Sequence, residues 1–240
     1  LRVMELEDLF EAAEILARMP RLDGERLVIL TNGGGAGVLA ADRLSDLDGM
    51  LADVSGSTRA ALDALLPPAW SHGNPVDMIG DADAARYARA LEILMQSDAA
   101  DAVLVMNCPT ALASSTDIAR AVIDVRERRR GEGKALKPLL SNWLGDGAAE
   151  EGRQLFAAAR IPSFETPAAA IDGFMQLVRY ARAQDALMQT PPVLPGDITC
   201  DHAAAQSAID GAAARGQAML SEVEAKSLLA AYGIPVVETA

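Results

Sequence analysis

A run of apolar residues leads directly into a glycine-rich segment near the start of the chain. Residues 26–31 (RLVILT) have the composition of a short buried strand, and residues 32–37 (NGGGAG) follow without a break. A helical pattern then extends from Val38 to Leu47. Strand, glycine loop and helix in this order are typical of the first unit of an α/β sheet, and this segment therefore predicts that fold class.

The same alternation continues along the chain. Four more β-type runs, separated by helical patterns, lie at residues 50–54, 102–106, 138–142 and 162–165. Because strands that alternate with helices pair in parallel, the sequence predicts a doubly wound five-stranded parallel sheet with helices on both faces.

Changes in composition predict the domain organisation. An amphipathic pattern that precedes the sheet defines a leading helix in residues 1–23, and the sheet domain occupies 24–188. Three prolines and a glycine just after the last helix indicate a linker over 189–215. Residues 216–240 hold one capped helix and a strand-like IPVV run, which cannot bury a core alone, so we expect them to open a further, truncated domain.

The charge balance limits the partners. The chain has 240 residues, and its 21 Lys and Arg against 34 Asp and Glu give a net charge of −13, which argues against binding to nucleic acid or to an anionic membrane. Cys108 and Cys200 lie far apart without CxxC spacing, which favours a reducing cytoplasm. No triad or ligand set can be assembled around the two histidines, His72 and His202, so we predict no catalytic and no metal-binding residue.

The glycine loop is the first candidate binding site. Glycines allow positive φ and a close approach of backbone N–H groups to an anion at a helix N-terminus. The predicted phosphate-binding residues are Asn32, Gly33, Gly34, Gly35, Ala36 and Gly37. The segment from Gly35 through Gly37 to Ala40 also matches G-x-G-x-x-A, and Asp53 lies where a ribose-binding acid would lie. An NAD-binding oxidoreductase therefore stays an alternative, and so does a tight turn without a ligand.

Three more loops lie at the predicted carboxyl edge of the sheet, where doubly wound folds bind their ligands. They are rich in Asn, Gly, Pro and Thr, which ordinary turns also require. The candidate substrate-binding residues in them are Asn74, Asp77, Pro109, Thr110, Ala111, Trp143 and Gly145.

Two other features have structural interpretations. Cys108 follows an apolar strand and has no cationic neighbour in sequence, so we predict a buried thiol and not a reactive one. The arginine cluster of Arg126, Arg128, Arg129 and Arg130 is interpreted as a solvated helix C-terminus.

The order of these motifs resembles the NDP-forming acyl-CoA synthetases, the superfamily that includes ADP-forming acetyl-CoA synthetase and succinyl-CoA synthetase. Residues 30–42 (LTNGGGAGVLAAD) resemble the family's LTNAGGPGVLAAD. The NPVD, PTA and WLG segments that begin at Asn74, Pro109 and Trp143 follow in the family's order. The resemblance covers about residues 5–187 and implies the second flavodoxin-like domain of these ligases.

The resemblance also implies a function. In this family an acyl phosphate, a phosphohistidine and CoA are interconverted, and the helix after the glycine loop points its N-terminus at the phosphohistidine. The chain would then help to stabilise that intermediate during ATP-dependent acyl-CoA formation. Residues 216–240 resemble the start of an ATP-grasp domain. Two departures, Gly33 for Ala and Ala36 for Pro, predict a less rigid loop.

The implied cofactors of the full-length protein are ATP or ADP, Mg and CoA, with phosphate or sulfate as the only ligand expected for this chain alone. The implied partners are CoA-binding and ATP-grasp domains of the same protein and a small carboxylate or acyl-CoA, and a homodimer stays open. The family's phosphorylated histidine lies in an SHTGA segment that these residues lack, so we expect the chain alone to be inactive. Because members also occur fused to a GNAT-type acetyltransferase, a non-catalytic regulatory domain of an acetyltransferase stays an alternative.

Overall fold

The computed structural model describes residue 3, residues 6–189 and residues 200–237. The chain divides into two compact units, the first ending at Met188 and the second beginning at Gln189. The first unit holds the sheet, and the second holds two helices. Most of the proline-rich part of the predicted linker, residues 190–199, lies outside the described residues.

Strands and helices alternate through the first unit. Its strands are β1 (Arg26–Thr31), β2 (Met50–Leu51), β3 (Val76–Asp77), β4 (Ala102–Asn107), β5 (Leu139–Trp143) and β6 (Ser163–Phe164). Its helices are α1 (Leu6–Arg18), α2 (Gly34–Asp46), α3 (Gly56–Leu65), α4 (Ala84–Gln96), α5 (Ser115–Gly131), α6 (Gly147–Ala158) and α7 (Pro167–Met188). Among the described residues no helix is both long and apolar enough to span a membrane.

All strand pairs in the sheet are parallel, in the order β2-β1-β4-β5-β6, and β3 also pairs with β1. Without the two-residue β3, this is the strand order of flavodoxin. The predicted doubly wound parallel α/β sheet is confirmed, with one correction: the sheet has six strands and not five. The NPVD segment contributes β3, and two residues are too few to produce a periodic pattern in the sequence.

Helices cover both faces of the sheet and enclose two apolar cores. Side chains alternate along a strand, so Val28 and Leu30 of β1 enter one core while Leu27 and Ile29 enter the other. Helices α3 to α6 complete the first core, and α1, α2 and α7 complete the second. Both faces of the central strands are therefore buried. Ligands can reach these strands only where the strands end, which we call the carboxyl and the amino-terminal edges of the sheet.

The described part of the second unit, residues 189 and 200–237, contains two helices, α8 (His202–Ala214) and α9 (Glu222–Ala231). The predicted capped helix is present as α9, where Ser221 and Glu224 form a capping box. Helix α8 lies in residues that the sequence assigned to the linker, because alanine-rich segments favour helix and Asp201 caps this one. The strand-like residues 234–237 form no strand, since they pair with no other described strand.

Candidate functional site

The glycine-rich segment forms the first turn of α2 and not a loop. The helix begins at Gly34, four residues before the predicted start at Val38, and Gly33 is its extended N-cap. The N–H of Gly37 already donates to the carbonyl of Gly33 at 3.1 Å, which removes Gly37 from the predicted donors. The first N–H groups of a helix have no acceptor inside it. In α2 these are the N–H groups of Gly34, Gly35 and Ala36.

Close packing, and not backbone conformation, requires glycine here. None of these glycines has a positive φ, contrary to the expectation from sequence. A Cβ at Gly33 would clash with Sγ of Cys108, and one at Gly34 would lie 2.7 Å from Oδ2 of Asp77. A Cβ at Gly35 would meet no atom within 4 Å. The space that a side chain at the second residue of α2 would fill is therefore open.

The side chain of Asn32 is occupied by the protein itself. Its Oδ1 accepts the N–H of Cys108 at 2.8 Å, and its Nδ2 donates to the carbonyl of Cys108 at 2.9 Å. This pair of bonds ties the end of β1 to the end of β4, and Asn32 is only 4% exposed. Asn32 thus positions the start of α2 and is not the anion donor that the sequence predicted. The sequence could not show this, because the two residues are 76 positions apart.

Asp77, a candidate from another loop, is brought to the positive end of α2. Its Oδ1 accepts the N–H of Ile79 at 3.0 Å, while its Oδ2 lies on the side of Gly34. Since α2 has no acidic residue in its own first turn, Asp77 supplies the negative charge that a helix N-terminus favours. Burial, and secondly the charge of Asp77, raise the pKa of the Cys108 thiol. A bound anion must therefore share this site with a carboxylate.

Asn74 completes the sheet and does not face a ligand. Its Oδ1 accepts the N–H of Ile29 at 3.0 Å, and its Nδ2 donates to the carbonyls of Leu27 and Ala52, both at 2.9 Å. These bonds occupy the edge of β1 between β2 and β3. The side-chain amide thus takes the place of a strand residue, which explains why β2 is shorter than the predicted run.

The remaining predicted loops meet at the carboxyl edge of the sheet. A Cβ added at Gly145 would lie 3.1 Å from the ring of Pro109. A Cβ added at Gly80 would lie 3.8 Å from the methyl group of Thr110 and 3.9 Å from the carbonyl of Asn32. The PTA loop, with Ala111 exposed on it, therefore lies between the glycine at position 145 and the segment that precedes α2.

Trp143 belongs to the core and is not a substrate contact. It is fully buried, its Nε1 donates to the carbonyl of Ser115 at 3.1 Å, and its ring packs 4.5 Å from Phe156. The sequence missed Arg153 instead, whose guanidinium donates to the carbonyls of Trp143 at 3.1 Å and Gly145 at 2.9 Å. Arg153 thus holds the WLG loop in place from the second turn of α6.

The geometry does not form a dinucleotide fingerprint. In that fingerprint the first glycine makes the turn between strand and helix, whereas Gly35 and Gly37 both lie inside α2. Gly37 and Ala40 are buried, and the exposed Asp53 accepts a hydrogen bond from Ser55 at 2.8 Å. The NAD alternative therefore loses its structural basis.

The arginine cluster at the end of α5 is only partly solvated, which corrects its interpretation. Arg129 is 4% exposed and forms an ion pair with Glu92 at 2.8 Å, and Arg128 reaches the same carboxylate at 3.1 Å. These contacts tie α5 to α4. The sequence missed the pair because Glu92 lies on a different helix.

The described residues hold no cluster of metal-ligating side chains. Within residues 6–189 and 200–237, no group of three or more His, Cys, Asp or Glu side chains could hold a metal ion.

The family is decided by a match over most of the first unit. Residues 27–188 match the family model of the Ligase-CoA domain, which is more than half of the chain. The chain belongs to the Ligase-CoA domain family. The resemblance to NDP-forming acyl-CoA synthetases is thereby confirmed, and the flavodoxin-like sheet is the scaffold of a Ligase-CoA domain.

Proteins similar to this Ligase-CoA domain include ADP-forming CoA ligases. The chain is 26% identical over 239 residues to the ADP-forming 4-hydroxybutyrate–CoA ligase of Nitrosopumilus maritimus, covering 98% of the chain and 32% of the relative. It is 33% identical over 167 residues to subunit alpha of the ADP-forming acetate–CoA ligase II of Pyrococcus furiosus, covering 68% and 35%. The chain therefore spans about a third of the length of these curated relatives.

A solved structure shares the fold. It is the "dinucleotide forming Acetyl-coenzyme A synthetase 1" of Ca. Korarchaeum cryptofilum in complex with phosphate and ADP. The TM-score is 0.74 at 29% identity, and the similarity covers 81% of this chain and 41% of that one.

Proposed function

We propose that this Ligase-CoA domain holds a phosphoryl group at the N-terminus of α2 during ATP-dependent acyl-CoA formation by a longer, ADP-forming ligase. The observation that carries the proposal is the open first turn of α2. The N–H groups of Gly34, Gly35 and Ala36 lack an acceptor within the helix, and no atom lies within 4 Å of the position that a Cβ at Gly35 would take. The relatives that are ADP-forming CoA ligases and the similar structure with phosphate and ADP support this assignment.

Weak anion binding at this site suits an intermediate that must be released to the next reaction step. A helix N-terminus carries roughly +0.5 of a charge and stabilises a nearby anion by about 0.3 to 2 kcal/mol, so α2 alone holds phosphate weakly. Asp77 weakens the site further by its charge and restricts the anion to the open side at Gly35. A phosphohistidine or acyl phosphate presented by another domain would be stabilised here without being trapped.

The loops beside α2 would receive the acyl part of the substrate. Pro109, Thr110 and Ala111 lie next to Gly145 at the same edge, and a small carboxylate or acyl-CoA is the substrate class that we propose for them. ATP or ADP and CoA would be held by ATP-grasp and CoA-binding domains of the same protein or complex. The chain by itself would therefore bind phosphate and make no acyl-CoA.

A phosphate titration of the 240-residue chain tests the proposal. We expect inorganic phosphate and acetyl phosphate to shift the backbone amide resonances of Gly34, Gly35 and Ala36, with an affinity in the millimolar range. Ala36→Asp should abolish these shifts, because an acid in the first turn suits the helix but repels the anion. Ala60→Asp, at an exposed position of α3, is the control for the added charge. Equal responses in wild type and Ala36→Asp would contradict the proposal.

A further inference from the structure

A second cleft lies at the opposite, amino-terminal edge of the sheet. It has a volume of about 340 Å³ and is enclosed by the ends of α1, α5 and α6 and by the residues that lead into β5. Its lining, all within the described part of the chain, contains no carboxylate. It contains five cationic residues, which are Arg18, Arg126, Arg130, Lys137 and Arg160.

This concentration of positive charge is unusual for a chain with a net charge of −13. Four acids outside the lining neutralise part of it, and two of these, Asp98 and Asp101, lie near Lys137. Glu14 pairs with Arg18 at 2.7 Å, and Glu127 pairs with Arg126 at 3.1 Å and approaches Arg130 at 3.9 Å. The lining itself therefore carries five cations and no acid, with four acids around it.

Helix ends explain four of the five cations: Arg18 and Arg130 lie in the last turns of α1 and α5, and two others donate to carbonyl groups at helix ends. In a parallel α/β sheet the helices end at this edge, and the negative end of a helix favours cations. Arg126 donates to the carbonyl of Ala159 at 3.0 Å, and Lys137 donates to the carbonyls of Leu94 and Ser97. These two side chains therefore have a structural role whether or not a ligand binds.

Arg160 follows the C-cap of α6 but makes no such contact. Its guanidinium makes no ion pair or hydrogen bond with the residues that the structure describes. Its φ is +56°, at the turn that ends α6, where the N–H of Ile161 donates to the carbonyl of Phe156 at 2.9 Å. Glycine is the usual residue at this position, because an L side chain is strained at positive φ. Arg160 thus combines a strained backbone conformation with a guanidinium that has no described partner and lies beside the cleft.

We propose that this cleft binds a phosphate-bearing small molecule, with its phosphate between Arg130 and Arg160 and its apolar part against Met19, Pro20 and Leu136. Guanidinium groups match phosphate oxygens in geometry and charge. The volume lies within the roughly 300 to 1,000 Å³ of small-molecule sites and exceeds what a bare ion needs. The site uses none of the residues of the α2 turn, so it stands apart from the proposed ligase function.

Nuclear magnetic resonance on the full chain tests this site and localises the ligand. ADP, inorganic tripolyphosphate and adenosine are titrated in turn, and the amides of Arg160 and Ile161 report the cleft while those of Gly35 and Ala36 report α2. We expect saturable shifts at Arg160 and Ile161 with ADP. Adenosine, which lacks phosphate, should cause none.

Two double variants distinguish binding in the cleft from a general effect of the net charge of the protein. Arg130→Gln with Arg160→Gly should weaken ADP binding at least tenfold, and this variant should fold well because glycine accepts the positive φ at 160. Arg59→Gln with Arg179→Gln removes the same charge from α3 and α7 and should leave the affinity unchanged.

Each outcome decides the inference. Equal binding of ADP and tripolyphosphate would assign recognition to the phosphates alone, and tighter ADP binding would add the apolar surface; both support the site. Shifts confined to Gly35 and Ala36 would overturn this site and leave the proposed function intact. No shift with any probe, or equal losses in the two double variants, would also overturn it.

Discussion

Replacing Asp77 by Asn should strengthen phosphate binding at α2. The substitution removes the only carboxylate placed at Gly34 but keeps an Oδ1 that can accept the N–H of Ile79. The N-terminus of α2 then loses its resident negative charge, and a phosphate no longer faces a like charge. The helix itself should lose only about 0.3 to 1 kcal/mol of stability.

The size of the effect follows from the geometry. A phosphate in front of Gly35 would lie about 8 Å or less from the carboxylate beside Gly34, since adjacent Cα atoms are about 3.8 Å apart. Two unit charges at about 8 Å repel by about 0.5 kcal/mol in water and by about 2 kcal/mol at an effective dielectric constant near 20. The site is partly exposed, so about 1 kcal/mol, or about fivefold tighter binding, is expected.

The assay is a phosphate titration at pH 8 followed by the amide resonances of Gly35 and Ala36. Asp124→Asn, on the exposed part of α5, is the control for the loss of one negative charge. A second readout is the thiol of Cys108, whose raised pKa should fall when Asp77 is neutralised, so that it reacts faster with a disulfide reagent in a Cys200→Ser background. Equal or weaker phosphate binding in Asp77→Asn would refute the reasoning.

Three further predictions concern the framework of the site. Gly33→Ala should destabilise the chain by about 1 to 3 kcal/mol through the clash with Cys108, and combining it with Cys108→Ala should cost less than the sum of the two, as urea unfolding would show. Asn74→Ala removes three hydrogen bonds to strand backbone and should lower the unfolding free energy by about 2 to 4 kcal/mol; a loss below about 0.5 kcal/mol would contradict its role in the sheet. The hydrogen bond from Arg26, opposed by burial, lowers the pKa of Asp101, so this carboxylate stabilises the fold above its unfolded pKa of about 4 and ceases to do so as the pH falls through its lower folded pKa. The stability difference between wild type and Asp101→Asn should therefore be constant near neutral pH and shrink below about pH 4.

The sequence predicts the scaffold well because the scaffold rests on local patterns. Strands β1 and β4 contain continuous apolar runs of four and five residues, which are typical of buried parallel strands. The sequence predicts the start of α2 at Val38 and not at Gly34, because glycine has low helix propensity. Tertiary packing nevertheless makes Gly34 and Gly35 helical. Propensity could not reveal that glycine is needed there for the approach of Cys108 and Asp77.

The site was predicted in part, because motif spacing shows which loops reach one edge but not which atoms remain available. The sequence indicates that the side chains of Asn32 and Asn74 can donate to a ligand. In the structure both side chains form hydrogen bonds with backbone groups that are distant along the chain. Trp143 is a core residue for the same kind of reason, since it lies on β5 and its partner Ser115 lies on α5. Arg153 was missed because only the fold brings it to the WLG loop.

The most direct test of the account is to locate a tetrahedral anion on the chain itself. Crystals grown with selenate, an analogue of sulfate and phosphate with a strong anomalous signal, would show the anion without ambiguity. The account predicts selenate within hydrogen-bond distance of the N–H groups of Gly34, Gly35 and Ala36, on the side away from Asp77. Selenate found only elsewhere on the chain, with the first turn of α2 vacant at saturating anion, would contradict the claim that this turn receives a phosphoryl group.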